Sequence, residues 1–252
     1  MVTPNPVAFT VFGIDVMWYG VLIGSAIVIA CAMGCVLVEQ EGMSSDKLID
    51  VLLFAVPMAI IGARAYYVVF EWEHYAGDFM AMINIRNGGL AIHGGLIFGI
   101  GTGLLCGYIW KMDILKHLDI VAICVPLAQS IGRWGNFCNE EAHGGPTDFI
   151  INVLIDGETY HATFLYEAIW CYALCIFLFI IYRCGKKFDG QLISLYPILY
   201  SVERFFVEGL RTDSLMLGPL RQAQLISIAL IILGIVMYIT FERRAKRLEK
   251  HA

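Results

Sequence analysis

The densest run of hydrogen-bonding side chains in the chain is Gly132-Arg133-Trp134-Gly135-Asn136-Phe137-Cys138-Asn139-Glu140-Glu141-Ala142-His143-Gly144. It closes an apolar run from Ile120 to Ile131 and opens a polar loop. A charged side chain near a bilayer centre costs roughly 2.5–3.5 kcal/mol on insertion scales, so an arginine there is rare without a partner or a job. Two asparagines, two acids and a histidine follow Arg133, with glycines that let the backbone turn tightly. One reading is an interfacial arginine that snorkels to the headgroups. The concentration of polar groups points instead to a site.

Arg204, Glu208 and Arg211 are spaced four and then three apart, so they share one helical face. The plain account is an intrahelical pair in which Glu208 neutralises Arg204, and such a pair does not exclude a site. His93 lies among glycines in Gly88-Gly89-Leu90-Ala91-Ile92-His93-Gly94-Gly95. A lone histidine is commonly a satisfied core residue, yet flanking glycines let a ligand or a backbone come close. Tyr19, beside Trp18, fits an interfacial aromatic belt. Arg64, beside Tyr66 and Tyr67, fits a structural anchor or a site equally well. Guanidinium presents a rigid fork of donors that matches phosphate, and imidazole exchanges protons near neutral pH. No H-E-x-x-H pair, paired Cys/His metal pattern, G-x-S-x-G elbow, P-loop or aspartyl dyad occurs. These residues describe cations and a neutral base acting on an anionic lipid, with no metal, nucleotide or other cofactor expected.

The elements that must position them follow from composition. Of 252 residues, 59% are hydrophobic and 15% charged, with a mean hydropathy of +0.72. Soluble domains carry about 25% charged residues. Repeated apolar runs of about 20 residues predict an all-α polytopic membrane protein. Seven spans are expected, near 18–38, 48–71, 89–110, 117–135, 162–182, 191–209 and 220–241. Met1–Met17 reads as a lead lying at the membrane surface; it lacks a basic n-region, so no cleavable signal peptide is expected. Eleven basic residues fall on one side: Lys47, Lys111, Lys116, Arg183, Lys186, Lys187, Arg243, Arg244, Lys246, Arg247 and Lys250. The other side has Arg86, Arg211 and Arg221. The positive-inside rule then makes the C-terminus cytoplasmic and the N-terminus external. No basic patch suggests nucleic acid. The eight cysteines read as small hydrophobes, neither disulfides nor metal ligands.

Depth arranges the polar groups. At 1.5 Å per residue, Arg64 lies roughly 24 Å above the inner start of its span, and Arg133 and Arg204 about 20 Å above theirs. Tyr19, His93, His161, Tyr166 and Glu167 occupy first turns from outside. The polar groups thus converge on the outer half of the membrane, and the inner half is expected to hold almost none. The chain reads as one integral membrane domain, 1–252, with an external head insertion at 137–161. Phe149–Ile155 followed by Asp156-Gly157 predicts a hairpin in that head. Gly95, Gly99, Gly103 and Gly107 strip one face of the third span for close helix packing.

Gly132-Arg133-x-Gly135-Asn136-Phe137-x-Asn139-x-Glu141-x-x-Gly144 resembles the signature of the bacterial prolipoprotein diacylglyceryl transferases. Trp18-Tyr19-Gly20, Gly88-Gly89 with His93-Gly94-Gly95, His161-x-Thr163-x-Leu165-Tyr166-Glu167, Arg204-Phe205-x-x-Glu208-x-x-Arg211 and Gln224 resemble further motifs of that family. Ala162 replaces its usual proline, and Thr212-Asp213 replaces a common x-Pro-Asp. The resemblance implies seven spans and a small periplasmic head in the bacterial cytoplasmic membrane, with the site towards the outer leaflet. It implies transfer of diacylglyceryl from phosphatidylglycerol to the lipobox cysteine of a preprolipoprotein, as a thioether, with release of glycerol phosphate. On this reading Arg133 and Arg204 hold the phosphate and stabilise the leaving group, and His93 assists thiol deprotonation. Asn136 and Glu141 orient Arg133 and shape the entrance; Tyr19, Tyr166 and Glu208 either brace the residues that touch the lipid or position the lipid themselves; Asn139, Gly144 and Arg211 support the site. The alternative is a seven-span transporter or receptor for an anionic ligand. A transporter usually holds its charges near the midplane, often in repeated halves, and no repeat is apparent.

Overall fold

The computed structural model describes residues 1–85, 88–211, 216–217 and 220–250; Arg86 and the pair Thr212-Asp213 lie outside them. Strands β1 (Val7–Val11) and β2 (Ile14–Met17) precede helix α1 (Trp18–Gln40). Helices α2 (Ser45–Phe70), α3 (Trp72–Tyr75), α4 (Phe79–Ile83), α5 (Ile92–Ile109) and α6 (Ile114–Cys138) follow. Then come β3 (Asn152–Ile155), β4 (Glu158–His161), α7 (Thr163–Cys184), α8 (Gln191–Leu210), β5 (Met216–Leu217), β6 (Leu220–Arg221) and α9 (Gln222–Glu249). Among the described residues, six helices are long and apolar enough to cross a membrane: α1, α2, α5, α6, α7 and α9. The expected sixth span is the 20-residue helix α8, which carries Glu203, Arg204 and Glu208 in its second half. Exposed side chains such as Ile97, Leu105 and Ile232 suit a lipid surround.

The lead is not a featureless surface segment. β1 and β2 pair antiparallel across Phe12 and Gly13, both at positive φ. The signal was the alternation Val7-x-Phe9-x-Val11, a strand pattern. In the head, β3 pairs with β4 across Asp156 (φ 50°) and Gly157 (φ 86°), the backbone sign a tight hairpin turn requires. The amino terminus ties down this hairpin: Met1 N donates to Asn152 O at 2.9 Å, and Leu154 N to Met1 O at 2.8 Å. Beneath it Phe137 stacks on Phe164 at 4.8 Å, beside buried Val153 and Ala162.

The chain divides into two compact units: Met1–Gly34 with Leu118–Ala252, and Cys35–His117. In the second unit α2 packs on α5 through the bare glycine face. A Cβ built at Gly99 would lie 3.1 Å from Ala59 Cβ, and one at Gly94 would run into the Gly62 carbonyl. Arg64 is buried there and donates to four backbone carbonyls: Met82 O (2.9 Å), Gly88 O (2.9 Å), Gly89 O (2.8 Å) and Ala81 O (2.7 Å). It is an anchor for the segment after α4.

In the first unit Asp119, near the start of α6, is a buried charge at the far end of that helix from Arg133. Its carboxylate accepts the N–H groups of Gly190 (2.8 Å), Leu192 (2.9 Å) and Ile193 (3.0 Å), and pairs with Lys186 at 3.2 Å. Those amides open α8 and have no partner inside it, so Asp119 satisfies the helix end from another part of the chain. Burial pulls the Lys186 ammonium down, but Asp189 and Asp119 together hold it above its ordinary value. Breaking a buried, hydrogen-bonded pair costs about 3–5 kcal/mol. Asp119→Ala should therefore lower the melting temperature of detergent-solubilised protein by roughly 6–20 °C. Asp113→Ala, which removes an exposed pair with Lys116, should stay within about 1 kcal/mol of wild type.

Candidate active site

α6, α7 and α8 bring three charged side chains to one point in the first unit. Glu167, in the second turn of α7, is 1% exposed. Its Oε2 pairs with Arg133 Nη2, and its Oε1 accepts from Arg204 Nη1 at 3.0 Å. Two guanidinium groups from separate helices thus share one carboxylate. Arg204 Nη2 pairs in turn with Glu208 at 2.7 Å, the intrahelical pair that the four-residue spacing predicts. Arg133 Nη1 reaches Asn136 Oδ1 at 3.5 Å and lies against the Tyr200 side chain. Both arginine side chains remain 21% exposed. A guanidinium has five N–H donors and these contacts use only some of them, so each planar fork keeps donors for an incoming anion.

Local sequence explains how the helices come so close. α6 continues to Cys138, so Gly132 and Gly135 lie inside a helix and not in a turn. They mark where α1 crosses it. A Cβ at Gly135 would sit 2.8 Å from Tyr19 Cδ2, and one at Gly132 would sit 3.1 Å from Ile23 Cδ1. After α6 the backbone reverses through Glu140 (φ 57°) and Ala142 (φ 56°). Gly144 then bonds His161 O at 2.9 Å and bridges to Arg211, where a Cβ would be 2.7 Å from His161 Cβ. Tyr166 Oη donates to Ile151 O at 3.1 Å, and Glu141 accepts from Asn139 Nδ2 at 3.4 Å.

A sequence model of the family described as prolipoprotein diacylglyceryl transferase matches residues 6–240. The chain belongs to that family. The phosphatidylglycerol–prolipoprotein diacylglyceryl transferase of Clostridioides difficile is 47% identical over 240 residues, covering 95% of this chain and 96% of that one. The protein of the same name from Finegoldia magna is 46% identical over 238 residues, covering 94% and 96%. One from Clostridium perfringens is 47% identical over 257 residues and covers 98% of both.

For a member of this family, the expected residues fall into two groups. Arg133, Arg204, Glu208 and Asn136 meet around Glu167, with Tyr19 on the α1 side of α6 at Gly135. His93 belongs to the second unit, exposed in the first turn of α5 with its ring 6.1 Å from that of Tyr66. It is no satisfied core histidine. Ala162, where the family pattern has proline, sits at φ −78°, a value proline would also adopt. Sequence reasoning placed Glu167 only among polar groups at the outer end of its span. Its position as the shared acceptor depends on how α6, α7 and α8 pack, which no local pattern announces. Tyr200, one turn before Arg204, carried no separate signal.

Removing the shared acceptor should be costly, since it strands two guanidinium groups in a dry setting. Glu167→Ala is expected to lose about 3–5 kcal/mol of stability. Leucine at both Arg133 and Arg204 in the Glu167→Ala background should recover part of that loss. Thermal unfolding of the three purified proteins in one detergent checks the order.

Proposed function

We propose that this chain transfers the diacylglyceryl group of phosphatidylglycerol to the lipobox cysteine thiol of a preprolipoprotein, the first step of lipoprotein maturation. The observation that carries the reading is the meeting of Arg133 and Arg204 on Glu167. Near-full-length identity to transferases of that name supports it, and leaves the transporter and receptor readings without support.

In the reaction the glyceryl carbon exchanges its bond to the phosphate oxygen for a bond to sulfur. The thiol proton leaves, and glycerol phosphate departs with the electron pair of the broken C–O bond. Negative charge grows on that phosphate. Arg133 and Arg204, held rigidly by Glu167 and Glu208, would bind it with their remaining donors and stabilise the leaving group without reorganising. The thiolate is the nucleophile, and a free cysteine thiol titrates near 8.5. His93 would take the proton at neutral pH. Asn136 would hold the plane of Arg133, and Tyr19 and Tyr166 would position the lipid. Seven spans, α8 among them, with an external amino terminus and a cytoplasmic carboxyl terminus, would put the clamp at outer headgroup depth in the bacterial cytoplasmic membrane. Residues 137–161 would form the external head, with Glu141, Asn139, Gly144 and Arg211 bracing the entrance.

Purified protein incubated with labelled phosphatidylglycerol and a lipobox peptide should shift the peptide on a gel and release glycerol phosphate. Arg133→Ala should insert normally and lose at least a hundredfold in rate, as deleting one charge-stabilising donor does elsewhere. Turnover at the wild-type level would sink the phosphate clamp. His93→Asn should be slow at pH 7 and stay slow as pH rises if His93 acts as base. A mutant rate that climbs to the wild-type level above the thiol's own titration range would make His93 auxiliary.

A further inference from the structure

Beside the two arginines lies a third carboxyl group that neither the family motif nor the clamp accounts for. Glu203, next to Arg204 on α8, is only 7% exposed. Both of its carboxyl oxygens are buried, and neither has a hydrogen-bond partner among the described residues. The group sits within electrostatic reach of Arg133, Arg204 and Glu167, and of Cys171 one turn along α7. Charge balance does not require it, because Glu167 and Glu208 already match Arg133 and Arg204. A buried carboxyl with no donor costs several kcal/mol unless something supplies one. Cys171 Sγ, within that reach, approaches Gln129 Oε1 instead, at 4.0 Å.

We propose that Glu203 is a specificity-determining residue that accepts a hydrogen bond from a hydroxyl on the headgroup of the lipid donor. The inference rests on the phosphate-clamp reading, which fixes where that headgroup must lie. A phosphate held by Arg133 and Arg204 carries its alcohol substituent only a bond or two away. A headgroup hydroxyl brings the donor that Glu203 lacks. A plain alkyl headgroup of the same length brings none, and leaves the carboxyl buried and unpaired. Leaving a buried carboxyl without its donor is costly enough for a roughly ten- to hundredfold preference.

The test compares phosphatidylglycerol with phosphatidylpropanol, which has the same phosphate and a three-carbon headgroup without hydroxyls. The readout is the ratio of kcat/KM for the two lipids with a lipobox peptide, taken on wild type, Glu203→Gln and Glu203→Leu. Because the ratio is internal to each preparation, partial misfolding cancels. Wild type should favour phosphatidylglycerol by about ten- to hundredfold. Glu203→Gln, which keeps the shape and a weaker neutral acceptor, should lower the ratio at least threefold, and Glu203→Leu should bring it close to one. A wild-type ratio near one overturns the proposal. So does a wild-type ratio in Glu203→Gln, even where both rates fall equally, because that result assigns Glu203 to the thiol or to holding the arginines. Failure of the clamp itself reads differently: Arg133→Ala would then transfer from both lipids at the wild-type rate.

Discussion

Two like charges from different helices do not approach each other in a dry setting unless an opposite charge lies between them. Glu167 supplies it, with one oxygen for Arg133 and the other for Arg204. Low local dielectric strengthens each attraction and makes any unpaired member expensive. The packing of α6, α7 and α8 near this point is therefore tied to the electrostatics. The aromatic layer of Phe137, Trp134 and Phe164 also sets the spacing of α6 and α7. An arrangement that neutralises its own arginines would still have donors for an anion, because a guanidinium has five donors in one plane and the carboxylates occupy only some of them. Neutrality also has a kinetic use. A net positive pocket would hold the departing phosphate dianion tightly, whereas a balanced one stabilises charge chiefly where it grows.

Much of the architecture was legible because hydropathy and helix length are local properties. The expected span near 89–110 became α5 (Ile92–Ile109), and that near 162–182 became α7 (Thr163–Cys184). The Asp156-Gly157 hairpin was legible for the same reason, since turn chemistry needs only neighbours in sequence. Features that rest on long-range pairing were harder to read. The turn-forming role expected for Gly132 and Gly135 gave way to a helix crossing, because nothing local announces that Tyr19 and Ile23 will lie against them. The β1–β2 hairpin carried an alternating pattern that two prolines and a short length obscured. Arg133, Arg204 and Glu208 stood out as costly charges in apolar runs; Glu167 stood out less, near the end of its span, and only the third dimension made it their shared partner.

Asp119 breaks the expected segregation of polar groups most clearly. It lies in the same helix as Arg133 and about 14 positions before it, or some 21 Å along the axis. Helices α6 and α8 bury three carboxylates in otherwise apolar runs, Asp119, Glu203 and Glu208. Residue type and burial do not separate their roles.

Hydrogen-bond accounting does. Asp119 accepts three backbone amides and a lysine, so its charge is spent on closing the α7–α8 connection. Arg64 behaves likewise, with four carbonyls around one guanidinium. Such nearly saturated groups have little left to offer a ligand, and their removal registers as lost stability. Arg133 and Arg204 are half-saturated, and Glu203 is bare. A membrane interior penalises every missing partner, so a cluster of unsatisfied groups is retained there only if something completes it. On the proposed reading, a phosphate with a hydroxyl-bearing substituent would complete the arginines and Glu203 at once, because it brings acceptors for the cations and a donor for the carboxyl in a single molecule.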